Sequence, residues 1–434
     1  MVKKNVINIF CLVLVLSSCS PVDKHNPDQP STEERIDDLF TRYTNAGEFS
    51  GSILVAKGDQ VLFRNGYGFT DREEQIPNTP DTQFSIQSIT KLFTYASVMM
   101  EVKADHISLN DPVEQYFPGF PNGDKITIDH LLHHRSGLFH YPHEVPDHEY
   151  GSLSTPITIN ALIKEFEGYP LKFEPGEQYG YSNAGYSILA RVVENLNDTP
   201  FDEYLEAKLF APTGMHQTTA DWETASQDIA IGYEKVDGEF IRSSADHPSH
   251  FIGSGTTYTT IDDMYSWYKA VYINGSMSEF SSGGGDGGGM GYRAIFWPIP
   301  SFDLVIIILS NYRDAPVYEL VTEVVDILLE ETTFIDHDPK TLEALIGHYM
   351  ADSGYGVFNY RIYGSNEKLF VSVTDFLGVS RVYELRPISP NQLAFLTDGR
   401  LTGQTLTFKW GEDANSHEFL FDMNLLQLKA IRDD

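Results

Sequence analysis

Cysteine is almost missing from this 434-residue chain: the only two, Cys11 and Cys19, both lie at its extreme N-terminal end. The body of the protein therefore has no thiol for a disulfide, a thiolate-bound metal or a cysteine nucleophile. Positive charge is scarce as well, with 30 Lys and Arg against 62 Asp and Glu and a formal net charge of −32. That balance argues against nucleic acid as a partner and against adhesion to anionic lipid through a basic patch. Past the first residues there is no apolar run long enough to cross a bilayer. What remains is ordinary globular material, 41% hydrophobic and 21% charged, with length for two or three domains and a large core.

The N-terminal stretch "MVKKNVINIFCLVLVLSSCS" reads as an export signal. Lys3 and Lys4 supply the positive start, and the apolar run from Val6 to Leu16 is too short to span a membrane comfortably. Leu16-Ser17-Ser18-Cys19 resembles the lipobox of bacterial lipoproteins, in which the cysteine is lipidated and becomes the new N-terminus. The expectation is a removed signal over residues 1–18, a lipid on Cys19, and an exported protein held at the cell envelope. Residues 19–32, proline-punctuated and polar, read as a tether.

Beyond the tether, Ser31 and Glu34 form a capping-box pattern that opens an amphipathic helix through Phe40. "GSILVAKGDQVLFRNGYGF" alternates as two strands about a Gly-Asp turn. From Ser88 to Trp267 the pattern is mostly helical with long loops. "GYRAIFWPIPSFDLVIIILSN" is a hairpin whose second strand, Leu304 to Leu309, is apolar throughout, as a strand buried on both faces should be. "PVYELVTEVVDILLEE" closes this region as a helix with proline at its entry. Strands at both ends with helices between imply an α+β domain over 33–335, with an antiparallel sheet flanked by helices and an inserted all-helical subdomain. Residues 340–434 change character to short strands between turns, predicting a small C-terminal all-β domain, a sandwich or barrel. Its aromatics Tyr355, Phe358, Tyr360, Tyr363 and Phe370 are expected to fill its core.

The chemistry begins at "FSIQSITKLFT", residues 84–94, where Ser88 and Lys91 stand three apart at a helix start. Exposed N–H groups and the positive dipole end favour negative charge developing on a serine oxygen there. A lysine three residues on shares that helix face and can take the hydroxyl proton. A second piece, "FEPGEQYGYSNAGYSILARVVENL", places Tyr181-Ser182-Asn183 in a loop entering another helix. A phenol beside an ammonium group is expected to have a lowered pKa, and an asparagine can donate to a substrate carbonyl while holding the lysine.

With both motifs in order, the chain is similar to the serine β-lactamase and penicillin-recognising hydrolase family, on the side of class C β-lactamases, D-Ala-D-Ala carboxypeptidases and related esterases. The blocks "GSILVAKGDQVLFRNGYGFTDREEQIPNTPDTQFSIQSITKLFT", "ITIDHLLHHRSGL", "FEPGEQYGYSN", "LFAPTGM" and "GSGTTYTTIDDM" carry the resemblance across residues 33–332. It implies a β-lactamase/transpeptidase-like fold and a serine hydrolase working through an acyl-enzyme on small esters, amides or D-amino-acid peptides, without a cofactor. β-Lactams would be further substrates or acylating agents. Ser88 would be the nucleophile, Lys91 its proton partner, Tyr181 the base and later acid, and Asn183 the group orienting the substrate amide. The Ser88 N–H would supply half of an oxyanion hole.

The family's third motif, Lys-Thr-Gly or His-x-Gly, falls on "SSGGGDGGGMGYRAIF". Its cationic position is Gly285, followed by Asp286, Gly287 and Gly288; Gly288 N–H is the expected second oxyanion donor. Loss of the cation removes a charge-assisted bond of about 1.5–3 kcal/mol to a substrate carboxylate, which Asp286 would also repel. The segment before this motif, "INGSMSEFSS", is shorter than the family's, so one sheet strand or a substrate wall is expected to be missing. These losses support an alternative, a lapsed enzyme kept as an envelope binding or scaffold lipoprotein. Two further patterns carry less. "HLLHH" (His130, His133, His134) has metal-ligand types, yet the family carries this block without metal. "GYSNA" mimics a nucleophile elbow at Ser182 but lacks the buried strand before it.

Overall fold

The computed structural model describes residues 30–149, 151–223, 229–330, 334, 345–365, 368–375, 377, 379–389, 391–397, 400–409, 418–422 and 427–432. The stretch expected to be a signal, the lipobox-like residues with Cys19 and most of the expected tether lie outside them.

Helix α1 (Thr32–Asn45) starts with the full capping box, Ser31 with Glu34, and runs one turn beyond Phe40. Strands β1 (Gly51–Lys57) and β2 (Gln60–Tyr67) follow as a hairpin. Helix α2 (Thr90–Lys103) is preceded by a 3-10 turn, Gln87–Ile89, so Ser88 stands just before the α-helix and not within its first turn. Helices α3 (Asn183–Asn197) and α4 (Ile261–Tyr268) belong to the insert. Strands β3 (Gly285–Gly289), β4 (Tyr292–Ile299) and β5 (Leu304–Ser310), then helix α5 (Val317–Leu329), complete the domain. The sheet has the order β2-β1-β5-β4-β3, with the strands in the middle drawn from both ends of the domain.

Period-two alternation sorts each central strand onto two cores. Leu54, Ala56, Ala294, Phe296, Val305, Ile307 and Leu309 face the helical insert. Ile53, Val55, Ile295, Ile306 and Ile308 face α1 and α5. β5 is fully buried along its length. Tyr43 donates to Glu323 at 2.6 Å, and Arg35 pairs with Glu330, tying α1 to α5 on that second face.

Within the insert one expectation needs correcting. "YEKVDGEFIR" is not loop or helix but a hairpin, Tyr233–Val236 with Glu239–Arg242. Its turn residues Asp237 and Gly238 both have positive φ, 51° and 87°, the Asp-Gly signature of a two-residue hairpin.

The C-terminal region is a closed antiparallel barrel of strands β6 (Gly347–Asp352), β7 (Val357–Ser365), β8 (Lys368–Thr374), β9 (Ser380–Ser389), β10 (Gln392–Thr397), β11 (Arg400–Lys409), β12 (Glu418–Asp422) and β13 (Gln427–Arg432). Tyr349, Phe358, Tyr360, Ile362, Val371, Leu393, Phe395 and Leu406 fill it. Tyr363 and Phe370 stack on each other across β7 and β8, half-buried and outside that cluster. Tyr355 is not in the barrel core either; it packs on the hydrolase domain. Ala394 and Leu396 of β10 join the core beneath α5, so the barrel leans on the sheet's second face.

Candidate active site

The Gln87–Ile89 turn is held open by Gln87, whose φ of 50° is rare for a residue with a side chain. It presents Ser88 while Lys91, one turn on, is only 7% exposed. Lys91 Nζ lies 3.3 Å from Ser88 Oγ and donates to the Ser254 carbonyl at 2.9 Å. Tyr181 O–H donates to the same Oγ at 2.9 Å. Ser88, Lys91 and Tyr181 thus converge as their motifs implied.

Burial pushes the Lys91 amine well below its ordinary range, only partly opposed by the field of Asp286. Burial also pushes the Tyr181 phenol up, against the bond to Ser88. The expected lowering of Tyr181 by a neighbouring ammonium is therefore overturned: desolvation dominates for both groups and favours neutral amine beside neutral phenol.

Asn183 is buried at the start of α3, but its Nδ2 donates to the Tyr141 carbonyl at 3.0 Å. Its Oδ1 is left as a buried acceptor with no partner. Ser182 caps α3, accepting from Gly185 N–H and donating to the Phe139 carbonyl at 2.8 Å, which rules it out as an exposed nucleophile.

The glycine tract forms a real strand. β3 pairs with β4 in the register Gly287↔Ala294 and Gly288↔Arg293, at the sheet edge. A Cβ on Gly287 would come 2.1 Å from the Ile86 carbonyl oxygen and 2.9 Å from Ser88 N, so this glycine is pressed against the nucleophile turn. Gly288 is the next residue along the strand. Around Gly285 a Cβ would meet nothing within 4 Å, so the missing cation leaves open space. Asp286 does not confront that space as a bare charge. Arg293 NH1 pairs with it at 3.0 Å, which offsets the repulsion expected for a carboxylate.

The motif reading missed the role of residues 253–257. Ser254 holds Lys91, Thr94 donates to the Gly253 carbonyl at 2.6 Å, and Thr257 N–H donates to Thr90 at 3.1 Å. The signal was present in the matched block "GSGTTYTTIDDM", but not which atoms it offered. The histidines of "HLLHH" serve structure: His130 closes a capping box with Thr127, His133 pairs with Asp129 at 3.0 Å, and His134 accepts from Ser182 N–H at 3.2 Å.

A lysine, a tyrosine and a serine gathered between an antiparallel sheet and a helical insert define a β-lactamase-like serine hydrolase. The family model for beta-lactamase matches residues 36–286, and the chain belongs to that family. PbpX of Bacillus subtilis (strain 168) is 27% identical over 278 residues, covering 62% of this chain and 68% of PbpX. Penicillin-binding protein 4* of the same organism is 26% identical over 268 residues, 57% of this chain and 58% of that protein. The chain thus spans little more than half the length of the second relative. D-amino acid amidase from Ochrobactrum anthropi SV3 shares the fold with a TM-score of 0.62 at 19% identity, over 70% of this chain and 99% of the amidase.

Proposed function

We propose that the protein is a serine hydrolase that forms an acyl-enzyme on Ser88 and acts on small esters, amides or D-amino-acid peptides. The observation that carries this is a single oxygen, Ser88 Oγ, within reach of both the Lys91 amine, whose proton affinity burial lowers, and the Tyr181 phenol. In the first half-reaction Lys91 takes the hydroxyl proton as Oγ attacks the carbonyl carbon. The oxyanion is received by the N–H groups of Ser88 and Gly288. Collapse breaks the bond to the leaving group, which Tyr181 protonates, and Lys91 returns a proton to the phenol. Water then cleaves the ester, with the same groups moving its proton. Asn183 is assigned the orientation of the substrate amide, for which its buried carboxamide has first to turn toward the site. The empty place at Gly285 weakens carboxylate recognition and tilts the preference toward esters and amides over penicillins.

That empty place is also the reason for the second reading, a lapsed enzyme acting as an envelope binding or scaffold lipoprotein. Labelling with a fluorophosphonate and turnover of p-nitrophenyl esters separate the two. Labelling lost in Ser88→Ala, with turnover in the parent, is the expected result. No labelling and no turnover would establish the scaffold reading.

A further inference from the structure

Tyr181 is not held by the hydrolase domain alone. His134, buried and with a φ of 54°, grips both neighbours of the phenol. Its carbonyl accepts from Gly180 N–H at 2.8 Å and its Nδ1 from Ser182 N–H at 3.2 Å. Its ring lies against Tyr181 with centroids 4.4 Å apart, and against Tyr186 at 5.0 Å. Where His134 sits therefore decides where the Tyr181 hydroxyl points.

The barrel reaches that histidine. The turn between β6 and β7 carries Tyr355, whose ring stacks on His134 at 6.2 Å and meets His133 edge-on at 5.4 Å and Tyr179 at 6.1 Å. The turn is braced from within: Ser353 N–H and Oγ both donate to the Gly356 carbonyl, at 3.0 and 2.9 Å, and Gly354 N–H donates to Asp352 at 2.9 Å. It is also pressed home. A Cβ on Gly354 would stand 2.6 Å from the His133 ring, so only glycine lets the turn come this close. The turn borders a cleft of about 420 Å³ between the two domains, lined by Arg135, Glu177 and Tyr179 on one side and by Tyr355, Asn359 and Asp375 on the other. Tyr355 stands outside the barrel's own core cluster, so the barrel does not depend on it for packing.

We propose that the C-terminal barrel is a working part of the hydrolase, in which Tyr355 is a positioning residue that fixes His134 and, through it, the Tyr181 phenol on Ser88. This rests on the reading of Ser88 and Tyr181 as reacting partners. The ring acts by stacking on His134, and the hydroxyl adds a hydrogen bond with Tyr186, which also packs on His134. A shift of about 1 Å in the phenol is enough to cost up to a hundredfold in rate.

The test uses the full chain with Tyr355→Ala and Tyr355→Phe, and two readouts. One is the rate of Ser88 phosphonylation by a fluorophosphonate. The other is hydrogen exchange of the backbone over residues 178–186. The expected result is a fall of about tenfold or more for Tyr355→Ala, faster exchange in that segment, and a smaller fall for Tyr355→Phe, which keeps the stacked ring but loses the bond with Tyr186. Parental labelling rate and unchanged exchange in Tyr355→Ala would overturn the proposal. If the parent itself never labels, the hydrolase reading fails, and exchange alone then judges the positioning role. Should Tyr355→Ala not fold, Gly354→Ala, which forces the turn off His133, supplies the same two measurements.

Discussion

Replacing Gly287 with alanine probes the contact on which the oxyanion geometry depends. The added methyl would stand 2.1 Å from the Ile86 carbonyl oxygen, against 3.4–4 Å for an ordinary van der Waals contact. Either β3 or the Gln87–Ile89 turn must retreat by about 1 Å, and both bear on the reacting atoms. Displacement of that size costs about a hundredfold in acylation, equivalent to about 2.7 kcal/mol of barrier. Overpacking adds a stability loss of about 1–3 kcal/mol, read as a lower Tm. Gly285→Ala is the matched control, because its methyl enters open space on the same strand. The assay is the rate of fluorophosphonate labelling of Ser88, with thermal denaturation alongside. Gly285→Ala should label at the parental rate and Gly287→Ala about a hundredfold more slowly. Equal rates for the two variants would show that the glycine strand does not lie against the nucleophile, and the oxyanion assignment would fall with it.

Lys91→Met should cut labelling more than a hundredfold, roughly the worth of lost proton transfer. In the parent the rate should rise with pH through a titration well below that of an exposed lysine, because the active form is the neutral amine whose pKa burial depresses; a rate that climbs only near the ordinary lysine range would contradict this. Gly285→His should lower KM for carboxylate-bearing substrates by about tenfold to a hundredfold relative to their neutral analogues, the worth of a charge-assisted bond; no difference would place the carboxylate elsewhere. Cys19→Ser should move the protein from membrane to soluble fraction in the producing bacterium, and unchanged fractionation would remove the lipid anchor.

The nucleophile motif was legible because its information is local: a spacing of three brings Lys91 of α2 within 3.3 Å of Ser88 in the turn that leads into it. Tyr181 was legible through the loop-to-helix transition that Ser182 caps. The strand at Gly285–Gly289 could be placed only by counting back from Gly291 and Tyr292, since glycines carry no pattern of their own; the contact of Gly287 with Ile86 supplies the check. What the sequence concealed depends on contacts between distant segments. Desolvation of Lys91 and Tyr181 comes from walls built by many elements, so a rule about neighbouring charge gave the wrong direction for the phenol. Arg293 reaches Asp286 across a strand pair. Tyr355 meets His134 across a domain boundary, and an aromatic in a β-rich region looks like core material until its partner is known. The hairpin at Tyr233–Arg242 is a different case, because its Asp-Gly turn was readable and was overshadowed by the helical pattern around it.

The lowered proton affinity of buried Lys91 reaches beyond catalysis. In the unfolded chain that amine is solvated and carries its proton, so at any pH between its two pKa values folding expels one proton into the buffer. Unfolding takes the proton back, and stability therefore rises with pH across that interval. The calorimetric enthalpy of unfolding must then vary with the ionisation enthalpy of the buffer, being larger where the buffer gives up its proton at greater heat cost. Above the histidine range, where the buried histidines no longer take up protons on unfolding, Lys91→Met should reduce that dependence by the share of one proton, which makes this side chain visible by heat alone.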